Sequence, residues 1–275
     1  MEPLPFIKMH GLGNDFVVVD ARRRPVALDG DWVRAVSDRR TGVGCDQLVL
    51  IETTEKADVR LSLRNADGGL TEACGNATRC IAGLVMAETG RRAVTIETDA
   101  GLLPCTDAGG GRITVDMGAA RTDWRDIPLA READTLAIAL ADPAPGPAVG
   151  VNVGNPHAVF FVDDAEAIDL ARIGPLIEHD AMFPERVNVE VADIRGAAEI
   201  RMRVWERGTG ITRACGTGAC ATLVAAARRG LIGREADVIL DGGALHIAWR
   251  EDGHVLMTGP WSTSFAGEFA PEASR

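Results

Sequence analysis

The chain has 275 residues, 46% of them hydrophobic and 25% charged, with a net charge of −11. That is enough chain for two domains with cores of their own. The acidic balance, relieved only by the short basic run at 22–24, argues against nucleic acid as a partner. No apolar run is long enough to span a membrane, and residues 1–14 lack the charged start and apolar stretch of a signal peptide, so a cytoplasmic protein is expected.

In chain order, the turn-rich Gly11-Leu12-Gly13-Asn14-Asp15 leads into an apolar strand at 16–19. A helical segment follows near 32–40, then strands at 47–51 and 59–64. A polar loop, 65–72, ends at Cys74-Gly75, and a helix over 76–88 stops at Gly90, a residue suited to a helix C-terminus. Strands at 94–98 and 112–117, with a Gly109-Gly110-Gly111 hairpin between, close this unit. Residues 121–133 are the expected crossing to a second half, and 142–147 a Pro-rich surface loop. The second half replays the first: strands at 149–153 and 158–162 around Gly154-Asn155-Pro156-His157, then strands at 187–191 and 199–205. A loop over 206–213 reaches Cys215-Gly216, followed by a helix at 219–229, Gly230, and strands at 237–240, 244–249 and 254–258.

A single shift of 141 residues lays Ala73-Cys74-Gly75 on Ala214-Cys215-Gly216, Gly13-Asn14 on Gly154-Asn155, Gln47 on Asn188, Asn65 on Glu206 and Gly118 on Gly259. A repeat this long implies two similar domains. The predicted fold is α+β, with two pseudo-symmetric barrel-like domains, each a mostly antiparallel sheet wrapped around a buried helix. The helix over 219–227 carries almost only small or apolar residues, as a helix buried on all sides does. The halves are expected at 1–120, joined by 262–275, and at 121–261, with a cleft between them.

Six cysteines without export signals predict reduced thiols. No CxxC pair or histidine doublet suggests zinc. Of 29 basic residues only Lys8 and Lys56 are lysine, which makes pyridoxal chemistry a poor fit, and no cofactor or metal is expected. Cys45, Cys80, Cys105 and Cys220 read as inert buried residues. Cys74 and Cys215 stand apart, because each precedes a glycine at a predicted helix start and the two are in register. Free amides and the helix dipole there favour a thiolate or a bound anion, lowering a thiol pKa and holding a substrate carboxylate. A redox dithiol is the alternative. Two thiols supplied by two like halves suit proton removal from one face of a carbon and return to the other.

These motifs carry a resemblance. The segments 8–16 (KMHGLGNDF), 65–68 (NADG), 73–76 (ACGN), 154–157 (GNPH), 186–188 (RVN), 206–208 (ERG) and 214–220 (ACGTGAC) resemble the diaminopimelate epimerase family, in family order over 6–259. The resemblance implies a cofactor-free enzyme interconverting LL- and meso-2,6-diaminopimelate in lysine and cell-wall precursor synthesis, a cytoplasmic homodimer with this small amino acid as its ligand. It implies Cys74 and Cys215 as exchanging base and acid, with the amides of Gly75, Asn76, Gly216 and Thr217 on the reacting carboxylate. Asn14, Gln47, Asn65, Asn155, Asn188 and Arg207 would fix the substrate, Arg207 as a forked clamp. Glu206 would meet an ammonium group and, with His157, adjust the proton affinity of the thiols.

The chain departs from the family pattern at Ala77-Thr78, where Gly-Ala is usual, at Thr217 for serine and at Trp205 for tyrosine. With no tyrosine anywhere, Phe265 takes the place of one often found at the dimer contact. Proline-type racemases also pair two cysteines, but the Asn65, Asn188 and Arg207 set argues for a longer, doubly zwitterionic substrate. A phenazine-type isomerase lacks the cysteines, and a non-catalytic binding protein would have no need of them. Thiols that bracket one carbon should also cross-link under mild oxidant.

Overall fold

A computed structural model describes residues 3–71, 74–141 and 143–269. Ala73 of the repeated triplet, the end of the loop at 72, Asp142 of the Pro-rich loop and residues 270–275 of the expected C-terminal addition lie outside the described residues. The chain divides into two compact units. One holds the described residues of 1–115 and 259–275, the other residues 116–258.

The first unit starts with β1 (Leu4–Gly11) and β2 (Asn14–Asp20), antiparallel and joined by Leu12 and Gly13. Both joining residues have positive φ, 56° and 85°, the conformation that matches a two-residue hairpin to strand twist. Helix α1 (Gly30–Ser37) connects to β3 (Gln47–Glu52), parallel to β2, and β4 (Val59–Asn65) returns antiparallel to β3. After the short β5 (Leu70–Thr71), helix α2 (Gly75–Thr89) crosses to β6 (Ala93–Thr98), parallel to β4. Strands β7 (Gly101–Gly109) and β8 (Arg112–Ala119) follow as antiparallel neighbours.

The second unit has the same connectivity. Strand β9 (Val149–Asn152) is antiparallel to β10 (Pro156–Phe161), helix α3 (Leu170–Glu178) leads to β11 (Asn188–Gly196) parallel to β10, and β12 (Glu199–Glu206) is antiparallel to β11. Past β13 (Gly210–Ile211), helix α4 (Gly216–Arg228) crosses to β14 (Glu235–Leu240), parallel to β12, with β15 (Gly243–Trp249) and β16 (His254–Pro260) after it. Strand β17 (Ser262–Phe269) pairs antiparallel with β1 in the first unit.

Strand alternation divides each sheet into two faces. In the first unit Val17, Val19, Leu48 and Leu50 pack with Trp32, Val33 and Val36 of α1, leaving Phe16, Val18, Val49 and Ile51 for the opposite face. In the second unit Val187, Val189 and Val191 join Leu170, Ile173 and Ile177 of α3, while His157, Asn188 and Glu190 point the other way. Helices α2 and α4 are buried along most of their length, as their lack of a polar face predicts. Gly83 of α2 is needed for closeness, since a Cβ there would lie 2.2 Å from the Trp261 ring. Residues 121–133 belong to the second unit, where Ile127 and Leu129 are core residues.

Six elements are additions to the sequence reading: β1, β7, β17 and α3, and the two-residue strands β5 and β13 inside the expected loops. Lys8 interrupts the apolar alternation of β1, and Gly174-Pro175 inside α3 reads as a helix break. Gly174 is there for packing, because its Cβ would meet the Trp205 side chain at 2.6 Å. Both cysteine helices also begin earlier than predicted, at Gly75 and Gly216, which makes Cys74 and Cys215 the capping residues themselves. Among the described residues no helix is long and apolar enough to cross a membrane.

Candidate active site

In the first unit Cys74 enters α2 from extended backbone, φ −141° and ψ 110°, and is half-buried. Its carbonyl receives both the amide (2.9 Å) and the hydroxyl (3.0 Å) of Thr78, which closes the first turn. Its sulfur lies 3.6 Å from Asn14 Oδ1, which also accepts from Asn76 Nδ2 at 3.1 Å. Asn14 is held from its other end, where Nδ2 donates to Asp46 Oδ2 at 2.9 Å. The side chain therefore has one orientation, with its oxygen toward the thiol.

Charges brace this arrangement. Arg39 bridges Asp15 and Asp46, and Lys8, itself buried, pairs with Asp15 at 2.7 Å. Burial alone would raise the Asp15 pKa, but the bonds from Arg39 and Lys8 prevail and take it down to about 2. Asn76 Oδ1 accepts from Arg79 at 2.7 Å, and Arg79 is wholly buried in α2. Gln47 and Asn65 face each other across β3 and β4, joined by Nε2 to Oδ1 at 3.0 Å, while Gln47 Oε1 is buried with no hydrogen-bond partner among the described residues.

In the second unit Cys215 enters α4 in nearly the same way, with φ −117° and ψ 111°. Here the sulfur is buried. It accepts from the Gly218 amide at 3.4 Å, lies 3.5 Å from Thr217 Oγ1, and donates to the Glu206 carboxylate. Glu206, at the end of β12, also accepts from the Thr212 hydroxyl. Behind them His157, 0% exposed, contacts Glu190 Oε1 through Nδ1 at 2.7 Å and Asn155 Oδ1 through Nε2 at 2.8 Å. Asn188 is a brace: Nδ2 donates to the Pro156 carbonyl and Oδ1 accepts the Arg207 amide, both at 2.9 Å. Arg207 is exposed at the turn, with Nη1 donating to the Glu185 carbonyl at 3.1 Å.

Sequence reasoning expects the helix start to lower a thiol pKa, and at Cys215 the direction is reversed. Burial pushes the Cys215 thiol well up, the Glu206 and Glu190 carboxylates add to it, and the bonds from Thr217 and Gly218 offset only part. Burial likewise raises Glu206. The dipole of one helix is weaker than desolvation combined with two nearby carboxylates. The four remaining cysteines are buried, Cys80 being pushed up to about 12 by burial.

The structure gathers Cys74, Asn14, Asn76 and Gly75 at one helix start, and Cys215, Thr217, Gly216 and Glu206 at the other. Three residues that sequence reasoning passed over complete them: Asp46, Arg79 and Glu190. Two carried a signal. Arg79 is a charge in an otherwise apolar helix, and Glu190 in Val187-Asn188-Val189-Glu190-Val191 shares a strand face with Asn188.

Against this geometry the comparisons fall into one pattern. The profile of the diaminopimelate epimerase family matches residues 6–122 and 149–263, one stretch for each repeat. The chain belongs to the diaminopimelate epimerase family. It is 59% identical over 267 residues to the diaminopimelate epimerase of Rhodospirillum centenum, covering 96% of this chain and 92% of that one. The diaminopimelate epimerase of Acidiphilium cryptum is 53% identical, with 96% and 95% covered. Among solved structures the fold is similar to that of a hydroxyproline epimerase from Agrobacterium vitis, with TM-score 0.71, 16% identity and coverage of 100% and 94%. A PhzF-family protein of Bacillus anthracis has TM-score 0.68 at 16% identity, with 98% and 100% covered. This is the two-repeat α+β architecture of the diaminopimelate epimerase fold.

Proposed function

We propose that this member of the family interconverts LL- and meso-2,6-diaminopimelate, in lysine and peptidoglycan precursor synthesis, with Cys74 and Cys215 as its two acid–base groups. Membership makes the chain an amino-acid epimerase of the diaminopimelate type. The observation that carries the residue assignment is the pair of cysteines at equivalent places, each capping a buried helix from extended backbone.

In this reading the substrate carboxylate lies on the first-turn amides of both helices, from Gly75, Asn76, Gly216 and Thr217. First-turn amides of a helix point outward from its N-terminus and can meet the negative charge that grows as the α-proton leaves. Cys215, buried among carboxylates, arrives carrying a proton and serves as acid while Cys74 takes the α-proton. The reverse reaction exchanges the roles. Asn14, Gln47, Asn65, Asn155, Asn188 and Arg207 orient the substrate, and Glu206 receives an ammonium group. His157 and Glu206 set the proton affinity of the thiols. The mechanism calls on no cofactor or metal. Chemistry that needs both thiols reduced supports a cytoplasmic setting. A homodimer is supported by Phe265, 49% exposed on β17.

The test is incubation of reduced protein with LL-diaminopimelate in deuterated water. Meso product carrying solvent deuterium at the α-carbon, lost in Cys74→Ala and in Cys215→Ala, is the expected result. Folded protein that neither epimerises nor exchanges this substrate overturns the assignment.

A further inference from the structure

Glu190 is a carboxylate wholly buried near the start of β11, 0% exposed. Its Oε1 meets His157 Nδ1 at 2.7 Å, and its Oε2 has no hydrogen-bond partner among the described residues. Buried carboxylates without full hydrogen bonding are costly, so a reason for this one is to be sought nearby. The nearest backbone above it is the first turn of α4. A Cβ on Gly218 would stand 2.8 Å from Glu190 Oε1 and 3.3 Å from the Cys215 sulfur. Gly218 thus both donates its amide to the thiol and leaves room for the carboxylate beneath it. Both nitrogens of His157 face oxygens, Glu190 Oε1 and Asn155 Oδ1, so the ring is held from both sides.

We propose that Glu190 is a positioning residue for the C-terminal thiol: it fixes the His157 ring from behind and, from under the first turn of α4, its charge sets the balance between the thiol and thiolate forms of Cys215. This rests on Cys215 being one of the two acid–base groups. The groups that face Glu190 are His157 from β10, Glu206 from β12 and Cys215 at the start of α4. The other carboxylates close by are committed elsewhere. Glu178 of α3 accepts from Trp205 Nε1 and the Gly208 amide, and Asp193 of β11 accepts from the Ala165 amide and Arg195. The charge of Glu190 acts at both Cys215 and Glu206, which supports the same assignment. Removing it makes the thiolate easier to form.

The test is Glu190→Gln in full-length protein labelled with [3-13C]cysteine, the Cys215 signal being assigned by its loss in Cys215→Ser. Its titration midpoint is expected to fall by about one pH unit or more. Kinetics supply a second readout that a merely structural role would not move. In the direction that uses Cys215 as acid, the alkaline limb of kcat/KM moves to lower pH. In the reverse direction the same limb moves by the same amount, because the ratio of the two kcat/KM values is fixed by the equilibrium constant. Glu190→Asp, which keeps the charge, leaves that limb near its original place while lowering kcat. Should Glu190→Gln not fold, Glu190→Gln with His157→Asn, which buries neither charge, is titrated instead with the same expectation. A Cys215 midpoint unchanged from wild type in a folded variant overturns the proposal. Full epimerisation by Cys215→Ala overturns the two-thiol reading instead, independently of the midpoint.

Discussion

Cys74 and Cys215 reach their helices along nearly the same backbone path, yet the side chains around them differ in kind. Around Cys74 the nearest groups are amides, Asn14 and Asn76, and the charges that brace them are set back in a mixed network of Lys8, Asp15, Arg39 and Asp46. Around Cys215 the Thr217 hydroxyl and the Gly218 amide are joined by acids, Glu206 and, behind Gly218, Glu190 with His157 against it. In the 141-residue register Val49 stands for Glu190, Phe16 for His157, Asn65 for Glu206 and Ala77 for Gly218. The two halves keep the same backbone entry into the helix, and unlike residues at matched positions surround Cys215 with carboxylates that, with burial, push its thiol up.

The comparison breaks first if either thiol is dispensable. Cys74→Ala and Cys215→Ala are each expected to lower kcat by about a thousandfold or more, measured by α-deuterium incorporation. Next in size is the exchange at matched positions. Gly218→Ala brings a methyl against Glu190 and the thiol, and is expected to destabilise the fold by about 1–3 kcal/mol and to lower kcat by about a hundredfold. Ala77→Gly, its counterpart, should cost about 0.5–1 kcal/mol of stability in urea titrations and leave kcat within about twofold.

The pH dependence of stability should also carry opposite signs at Asp15 and at the buried thiols. Asp15, held near a pKa of about 2 in the folded state, contributes stability above the ordinary carboxylate value that is lost as pH falls through about 2. Asp15→Asn should cost about 1–2 kcal/mol at neutral pH, and the difference should vanish in acid. Cys215 has the opposite sign. Its raised pKa means that the unfolded chain releases the proton first, so stability falls as pH climbs past the ordinary thiol value, and Cys215→Ala should flatten that fall. Cys80 adds a fall of the same sign, so the Cys215 comparison is sharpest in a Cys80→Ala background. The smallest effect expected is that of Asp46→Asn, which loosens the grip on Asn14 and should raise KM about fivefold with kcat nearly unchanged.

Much of this was legible from residue pattern. The repeat showed in a fixed offset of unusual residues, and the all-apolar stretch after each Cys-Gly announced a buried helix. The direction of the Cys215 shift was not legible, because it depends on which residues a parallel strand pair sets side by side. His157 and Glu190 are 33 positions apart, and only the β10–β11 register brings them together. Strand β1 escaped because the buried charge of Lys8 conceals its alternation until Asp15 is known to lie opposite. Helix α3 escaped because Gly174 and Pro175 break the local rule, the glycine in favour of packing against Trp205.

The return of β17 to β1 has a consequence for the order of assembly. Phe269 of β17 stacks on Phe6 at 4.6 Å and meets Trp32 at 5.3 Å, within the core that α1 covers. Residues 116–258 are continuous and hold a complete unit, whereas the other unit brackets them and draws its closing strand from 259–269. During synthesis from the N-terminus, the half that begins first is therefore completed last. It waits, with one sheet edge open, until the inserted half has emerged entire.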